Sequence, residues 1–104
     1  MTYKLFLDDE RDPPNDNTYW VIARSSSEAI SIIETNGIPS FISFDHDLGG
    51  DDTAMKLVWF LINSHMDGNL ESFPTDYYVH SQNPVGVKNI KELMSNYINT
   101  LERI

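Results

Sequence analysis

The chain has no cysteine, so neither a disulfide nor a thiolate metal site is available to it, which fits an unsecreted, cytoplasmic protein. Basic residues are scarce: 7 Lys and Arg stand against 16 Asp and Glu, a formal charge of −9. A duplex-binding protein needs the reverse balance, because most of its affinity comes from neutralising phosphates, so duplex nucleic acid is not an expected partner. A phosphate-bearing ligand has to be met locally, by a few basic groups or by a metal ion. No apolar run approaches the roughly 20 residues of a membrane span, and the N-terminus lacks a signal peptide's charge-then-apolar layout. Repeats, linkers and low-complexity segments are also missing. What is present, across 104 residues with 40% hydrophobic and 12% aromatic side chains, is the composition of one globular domain, residues 1–104.

Apolar runs alternate with turn-forming stretches. Residues 4–7 (KLFL) read as a first strand ending in Asp8-Asp9. The following ERDPPNDNT is rich in Pro, Asp and Asn and reads as loop. Residues 19–23 (YWVIA) are β-formers and make a second strand. Ser25 and Glu28 have the spacing of a capping box, opening a helix with Ala29, Ile30 and Ile33 inward and Asn36-Gly37 at its end. Residues 41–44 (FISF) form a third strand running into Asp45-His46-Asp47 and Gly49-Gly50. Asp52 or Thr53 is placed to cap the next helix, whose stripe is Ala54, Leu57, Val58, Leu61 and Ile62. Residues 77–79 (YYV) give a fourth strand that runs into His80-Ser81-Gln82-Asn83-Pro84. The last helix carries Ile90, Leu93, Met94, Tyr97, Ile98 and Leu101 at steps of three and four.

This alternation predicts an α/β domain with a short parallel sheet. The helix-free link between the first two strands is long enough to run back along a strand and start a parallel neighbour; an antiparallel pair is the alternative. The parallel arrangement brings Asp8, Asp9, Asp45, Asp47 and His80 to one edge, where ligands bind in open sheets. Crowded carboxylates raise one another's pKa, a penalty that a divalent cation with oxygen ligands removes. The D-x-D-x-G spacing is not an EF-hand, since the twelfth position from Asp45 is Lys56 rather than Glu. Gly49-Gly50 instead turns the backbone tightly, leaving amides free to face an anion.

An acidic pair after the first strand, Asp45 after the third and Ser81 after the fourth resemble the receiver domain of response regulators. The matching lysine is absent, Lys88 falling in the last helix. LFLDDERDPP, the W-x-x-A-R-S of Trp20 to Ser25, ISFDHDLG and HSQNPVG together more closely resemble the cyclic-phosphate processing receiver family, over residues 3 to about 100. That family is a receiver derivative associated with RNA-end repair and with phage–bacterium conflict. The resemblance implies a receiver-like (flavodoxin-like) three-layer α/β fold, strand order 2-1-3-4 with the first helix and fifth strand missing, and action on a cyclic phosphate.

Residue by residue, the expected metal ligands for Mg²⁺ or Mn²⁺ are Asp8, Asp9 and Asp45. His46 and His80, imidazoles being the side chains suited to passing protons near neutral pH, are the expected proton-transfer pair. Arg11 is a phosphate clamp or the partner of Asp12. Ser81 and Asn83 bind phosphate or cap the turn before Pro84, and Asp47 is a ligand or a clamp on His46. His65 reads as a packed or a surface histidine, and Trp20, Tyr77 and Tyr78 read as packed, with a base wall as the second reading of Trp20 and Tyr78. The expected activity is a metal-dependent phosphoesterase for a small phosphate-bearing substrate or an RNA end. A phospho-accepting receiver module and a non-catalytic acidic interaction protein are the alternatives.

Overall fold

A computed structural model describes residues 2–102. The strands are β1 (Lys4–Leu7), β2 (Trp20–Ala23), β3 (Phe41–Phe44) and β4 (Tyr77–Val79). The helices are α1 (Ser26–Asn36), α2 (Met55–Met66) and α3 (Pro84–Glu102). The sheet order is β2-β1-β3-β4 and every pair is parallel, as the sequence predicts. This is an α/β receiver-like fold in which β1 passes to β2 without a helix. Among the described residues no helix is long and apolar enough to cross a membrane.

Register fixes what each face carries. Leu7 pairs with Ala23 and Phe44, and Phe44 with Val79. Side chains alternate along a strand, so Leu5, Leu7, Ala23, Ile42, Phe44 and Val79 share one face. These residues join Ala29 and Ile33 of α1, Leu57, Val58 and Leu61 of α2, and Ile90 and Met94 of α3 in one buried cluster. The predicted inner stripes are therefore the ones buried.

All three helices lie on that face, and the domain has two layers rather than the three expected. Three layers require a helix on each face, and the residues of α1, α2 and α3 instead join one buried cluster on a single face. The crossings from β2 to β3 and from β3 to β4 run in the same direction across the sheet, so right-handedness puts α1 and α2 on the same side. The crossing in the other direction, β1 to β2, is made by residues 8–19 without a helix. The second sheet face, with Phe6, Trp20, Ile22, Phe41, Ser43 and Tyr78, is thus only partly covered. Tyr78, read from sequence as packed, is 60% exposed.

Helix ends tie the layers together. Ser25 accepts from the Glu28 amide at 3.1 Å, while the Glu28 carboxylate reaches the Arg24 amide at 2.8 Å, one residue earlier than a strict capping box requires. Asp52 does not cap α2, whose N-cap is Ala54 without a side-chain bond. It instead caps α1 from across the fold, accepting from the Ser26 amide at 2.9 Å and from the Ser26 hydroxyl. The reason is local: Asp47 and Thr53 form an antiparallel bridge, turning the loop so that Asp52 faces α1. Burial opposes ionisation of Asp52, but the Ser26 hydroxyl and amide, with Lys56, outweigh it and hold the carboxyl below its ordinary value. A depressed folded-state pKa stabilises above the unfolded value and loses that contribution as pH falls through the folded one. Asp52→Ala is therefore expected to cost about 1–2 kcal/mol at pH 7. In urea titrations the gap from wild type should close below about pH 4.

Candidate active site at the carboxyl edge of the sheet

The ladder continues one residue past the ends of β1, β3 and β4. The amide of Asp8 donates to Ala23 at 3.1 Å, that of Asp45 to Leu7 at 2.8 Å and that of His80 to Phe44 at 2.9 Å. Asp8, Arg24, Asp45 and His80 thereby form a row, each two residues beyond a residue of the open face. This register explains why polar side chains at separate positions in the chain meet.

Asp8 is the hub and is 1% exposed. Its Oδ1 accepts from the amides of Glu10 (2.9 Å) and Arg11 (2.8 Å). Its Oδ2 accepts from Arg11 Nε (2.9 Å) and His80 Nε2 (3.0 Å). Burial pushes the Asp8 carboxyl up, but these amides, the imidazole and the guanidinium together bring it below the ordinary range. The far end of Arg11 lies 3.6 Å from Asp45 Oδ2. Arg11 thus bridges two carboxylates rather than pairing with Asp12. Asp12 pairs instead with Arg24 at 2.7 Å, and Arg24 also donates to the carbonyls of Asp8 and Arg11. Arg24 was legible only as part of the W-x-x-A-R-S motif, and its role is to pin the loop that carries Arg11.

His80 is held on three sides. Its ring stacks on Phe6 with centroids 4.6 Å apart, Nδ1 meets the Ser43 hydroxyl at 2.7 Å, and Nε2 meets Asp8. A carboxylate only accepts, so Nε2 carries a proton. A hydroxyl both donates and accepts, so Ser43 can serve the neutral ring as donor and the imidazolium as acceptor. The ring can therefore change charge without losing a hydrogen bond. Ser43 was visible in the sequence only as the polar residue in an apolar strand.

His46 lies elsewhere. Its Nδ1 meets Asp47 at 3.0 Å, which together with Asn83 lowers the Asp47 carboxyl, and its ring packs on Gly86 in the first turn of α3. The two histidines share no partner, because successive residues past a strand end point to opposite sides and His46 turns toward α3. A Cβ at Gly86 would overlap the His46 ring. Gly86→Ala should therefore destabilise by about 1–3 kcal/mol despite alanine's better helix propensity, as thermal melting would show.

Asp8, Asp9, Glu10, Arg11, Asp45 and Asp47 line a pocket of about 410 Å³ with Gly49, Ser81, Gln82 and Asn83. Gly49, at φ +88°, lets the backbone pass beside Asp9; a Cβ there would lie 3.3 Å from the Asp9 carboxylate. Asn83 caps α3, its side-chain oxygen accepting from the amides of Val85 and Gly86, while its amino group donates to Asp47 at 3.2 Å. Ser81 accepts from the Asn83 amide. Both residues are thus turn-forming and line the pocket. Lys88, in the second turn of α3, pairs with Glu92. A larger hollow of about 640 Å³ beside the start of β3 contains no His, Lys or Arg.

Asp8, Asp45 and His80 each offer a ligand atom, all within 4.8 Å of one another, an acidic cluster that could hold a metal ion. Two carboxylates and an imidazole suit a divalent cation, on condition that Arg11 leaves Asp8. His65 is packed, bonded to the Tyr97 hydroxyl at 2.8 Å.

No curated relative and no solved structure matches the chain. The family model described as the cyclic-phosphate processing receiver domain matches residues 3–96, nearly the whole sequence, and the chain belongs to that family.

Proposed function

We propose that this domain is a divalent-metal-dependent phosphoesterase that opens a cyclic phosphate, either at an RNA 2′,3′-cyclic end or in a cyclic nucleotide. The observation that carries the reading is the pocket lining, five carboxylates against one guanidinium. A phosphate anion is repelled from such a pocket unless a cation enters with it. Asp8 and Asp45 would hold that cation with Asp9 beside them, an oxygen set that fits Mg²⁺ or Mn²⁺, and His80 stays off the metal as a proton donor. Bound there, a divalent ion supplies charge neutralisation and a more acidic water.

The remaining roles fall to the chain itself. Arg11 turns from Asp8 to the phosphate oxygens, where its planar fork can engage two of them. The Asn83 amino group and the Ser81 hydroxyl reach the same space. Water adds to phosphorus and gives up a proton to solvent, the bond to one ribose oxygen breaks, His80 gives that oxygen a proton, and the imidazole takes one back from solvent. Phe6 and Ser43 keep the imidazole in place while it does so. His46 acts at one remove, through Asp47. The test is conversion of 2′,3′-cyclic nucleotides to monophosphates with Mg²⁺ or Mn²⁺, followed by ³¹P NMR.

A receiver-type signalling module is the second reading, favoured by the position of Asp45 beside Asp8 and Ser81 at the sheet edge. No hydrolysis, together with phosphorylation of Asp45 by acetyl phosphate, would establish that reading instead.

A further inference from the structure

We infer that the open face of the sheet is a nucleobase site, so that the substrate is a nucleoside cyclic phosphate whose base lies across β1, β3 and β4 while its phosphate sits at the carboxyl edge. The inference rests on the phosphoesterase reading and adds to it the part of the ligand that does not react. The groove has a volume of about 430 Å³ and is walled by Phe6, Trp20, Phe41 and Tyr78, with Pro14 of the long loop along one side. That volume lies within the range of about 300–1,000 Å³ usual for small-molecule sites.

Three observations choose a base over another apolar group. The first is continuity: Arg11 lines both this groove and the acidic pocket, and His80 lines the groove while its Nε2 meets Asp8. A ligand with its phosphate at Arg11 therefore has its next group delivered to the aromatics. The second is the kind of surface. Trp20 stands edge-on to both Phe6 and Phe41, with centroids 5.8 and 5.9 Å away, and Tyr78 stands exposed. An exposed aromatic face such as that of Tyr78 stacks on any base. The third is charge. The Lys4 ammonium lies 5.6 Å from the Trp20 ring and 5.7 Å from that of Phe41, a cation at the far end of the groove. A second copy of this chain is the competing occupant, and a formal charge of −9 on each copy opposes it.

The experiment uses Trp20 as reporter. The chain has two tryptophans, and Trp59 lies exposed on α2, so Trp59→Phe leaves the groove's own fluorescence. Adenosine 3′-phosphate, adenosine and inorganic phosphate are titrated with Mn²⁺ present, the last by competition. Both adenosine compounds should quench Trp20. Tyr78→Ala should weaken both by about tenfold or more and leave inorganic phosphate unchanged. Tighter binding of a tetranucleotide ending in a 3′-phosphate than of the mononucleotide supports the site and assigns the base to an RNA end; equal affinity supports it and assigns a free nucleotide.

Quenching by adenosine without any phosphate binding would sink the phosphoesterase reading and keep the base site. Equal affinity for adenosine 3′-phosphate and inorganic phosphate, unmoved by Tyr78→Ala, overturns the base site and leaves the phosphoesterase. A dimer in sedimentation that Tyr78→Asp dissociates also overturns it, since a second copy would then fill the groove.

Discussion

Replacing Asp45 by Asn is expected to abolish stabilisation by divalent cations and to lower cyclic-phosphate turnover at least about a hundredfold. Asp45 is buried, and its amide bond to Leu7 is independent of the side chain. Asn keeps the shape and removes the charge. A cation that binds only the folded chain stabilises it by about 2.7 kcal/mol at a hundred times its dissociation constant. For a domain of this size that raises the melting temperature by about 10 °C or more. The wild type should show this rise with Mg²⁺ or Mn²⁺ and Asp45→Asn should not, while the exposed control Glu71→Gln behaves as wild type. Without metal the Asn variant should melt no lower than wild type, because one of the crowded carboxylates has gone and Arg11 still holds Asp8. If Mg²⁺, Mn²⁺ and Ca²⁺ all leave the wild-type curve unmoved, the guanidinium alone balances these acids and the metal has no place in the chemistry.

Much of this arrangement was legible in the sequence because it depends on register. Apolar runs that end abruptly in Asp8, Asp45 and His80 announce strand ends, and alternation with helices makes the strands parallel, which brings those ends to one edge. Helix stripes such as Leu57, Val58, Leu61 and Ile62 were equally plain. Direction was harder to read. Asp45-His46-Asp47 looks like one constellation in a string of letters, but neighbouring residues past a strand point to opposite sides. Asp45 therefore joins Asp8 and His80 while His46 packs on Gly86. Long-range pairing was not legible. Asp52 caps a helix 26 positions earlier in the chain, and Arg24 reaches back to Asp12. The two-layer architecture followed from handedness, which requires the direction of each crossing as well as the strand order. Without a helix between β1 and β2 one sheet face is left open, and its aromatics cannot all be core.

His80→Ala is expected to reduce turnover by about 10²- to 10⁴-fold, the usual cost of losing one proton-transfer group, with the fold retained. His46→Ala should cost less than about tenfold. The difference follows from what each ring touches. His80 meets Asp8, a carboxylate of the acidic pocket, and its other nitrogen meets a hydroxyl that tolerates both protonation states. His46 meets Asp47 at the rim and the backbone of α3. Removing His46 should chiefly loosen Asp47 and its bond from Asn83, raising KM more than it lowers kcat. Ser43→Ala gives the intermediate case. It leaves the imidazole in place but removes the partner of Nδ1, at a cost of about 1–1.5 kcal/mol, or about tenfold in kcat. His65→Ala lies outside the site and should leave the rate nearly unchanged, although it gives up the Tyr97 bond and some stability. Single-turnover rates with a 2′,3′-cyclic nucleotide, measured beside circular dichroism for each variant, decide the matter. Equal losses in His46→Ala and His80→Ala would restore the pair as joint proton carriers and require α3 to move toward the pocket. Full activity in His80→Ala would leave the leaving oxygen to take its proton from water.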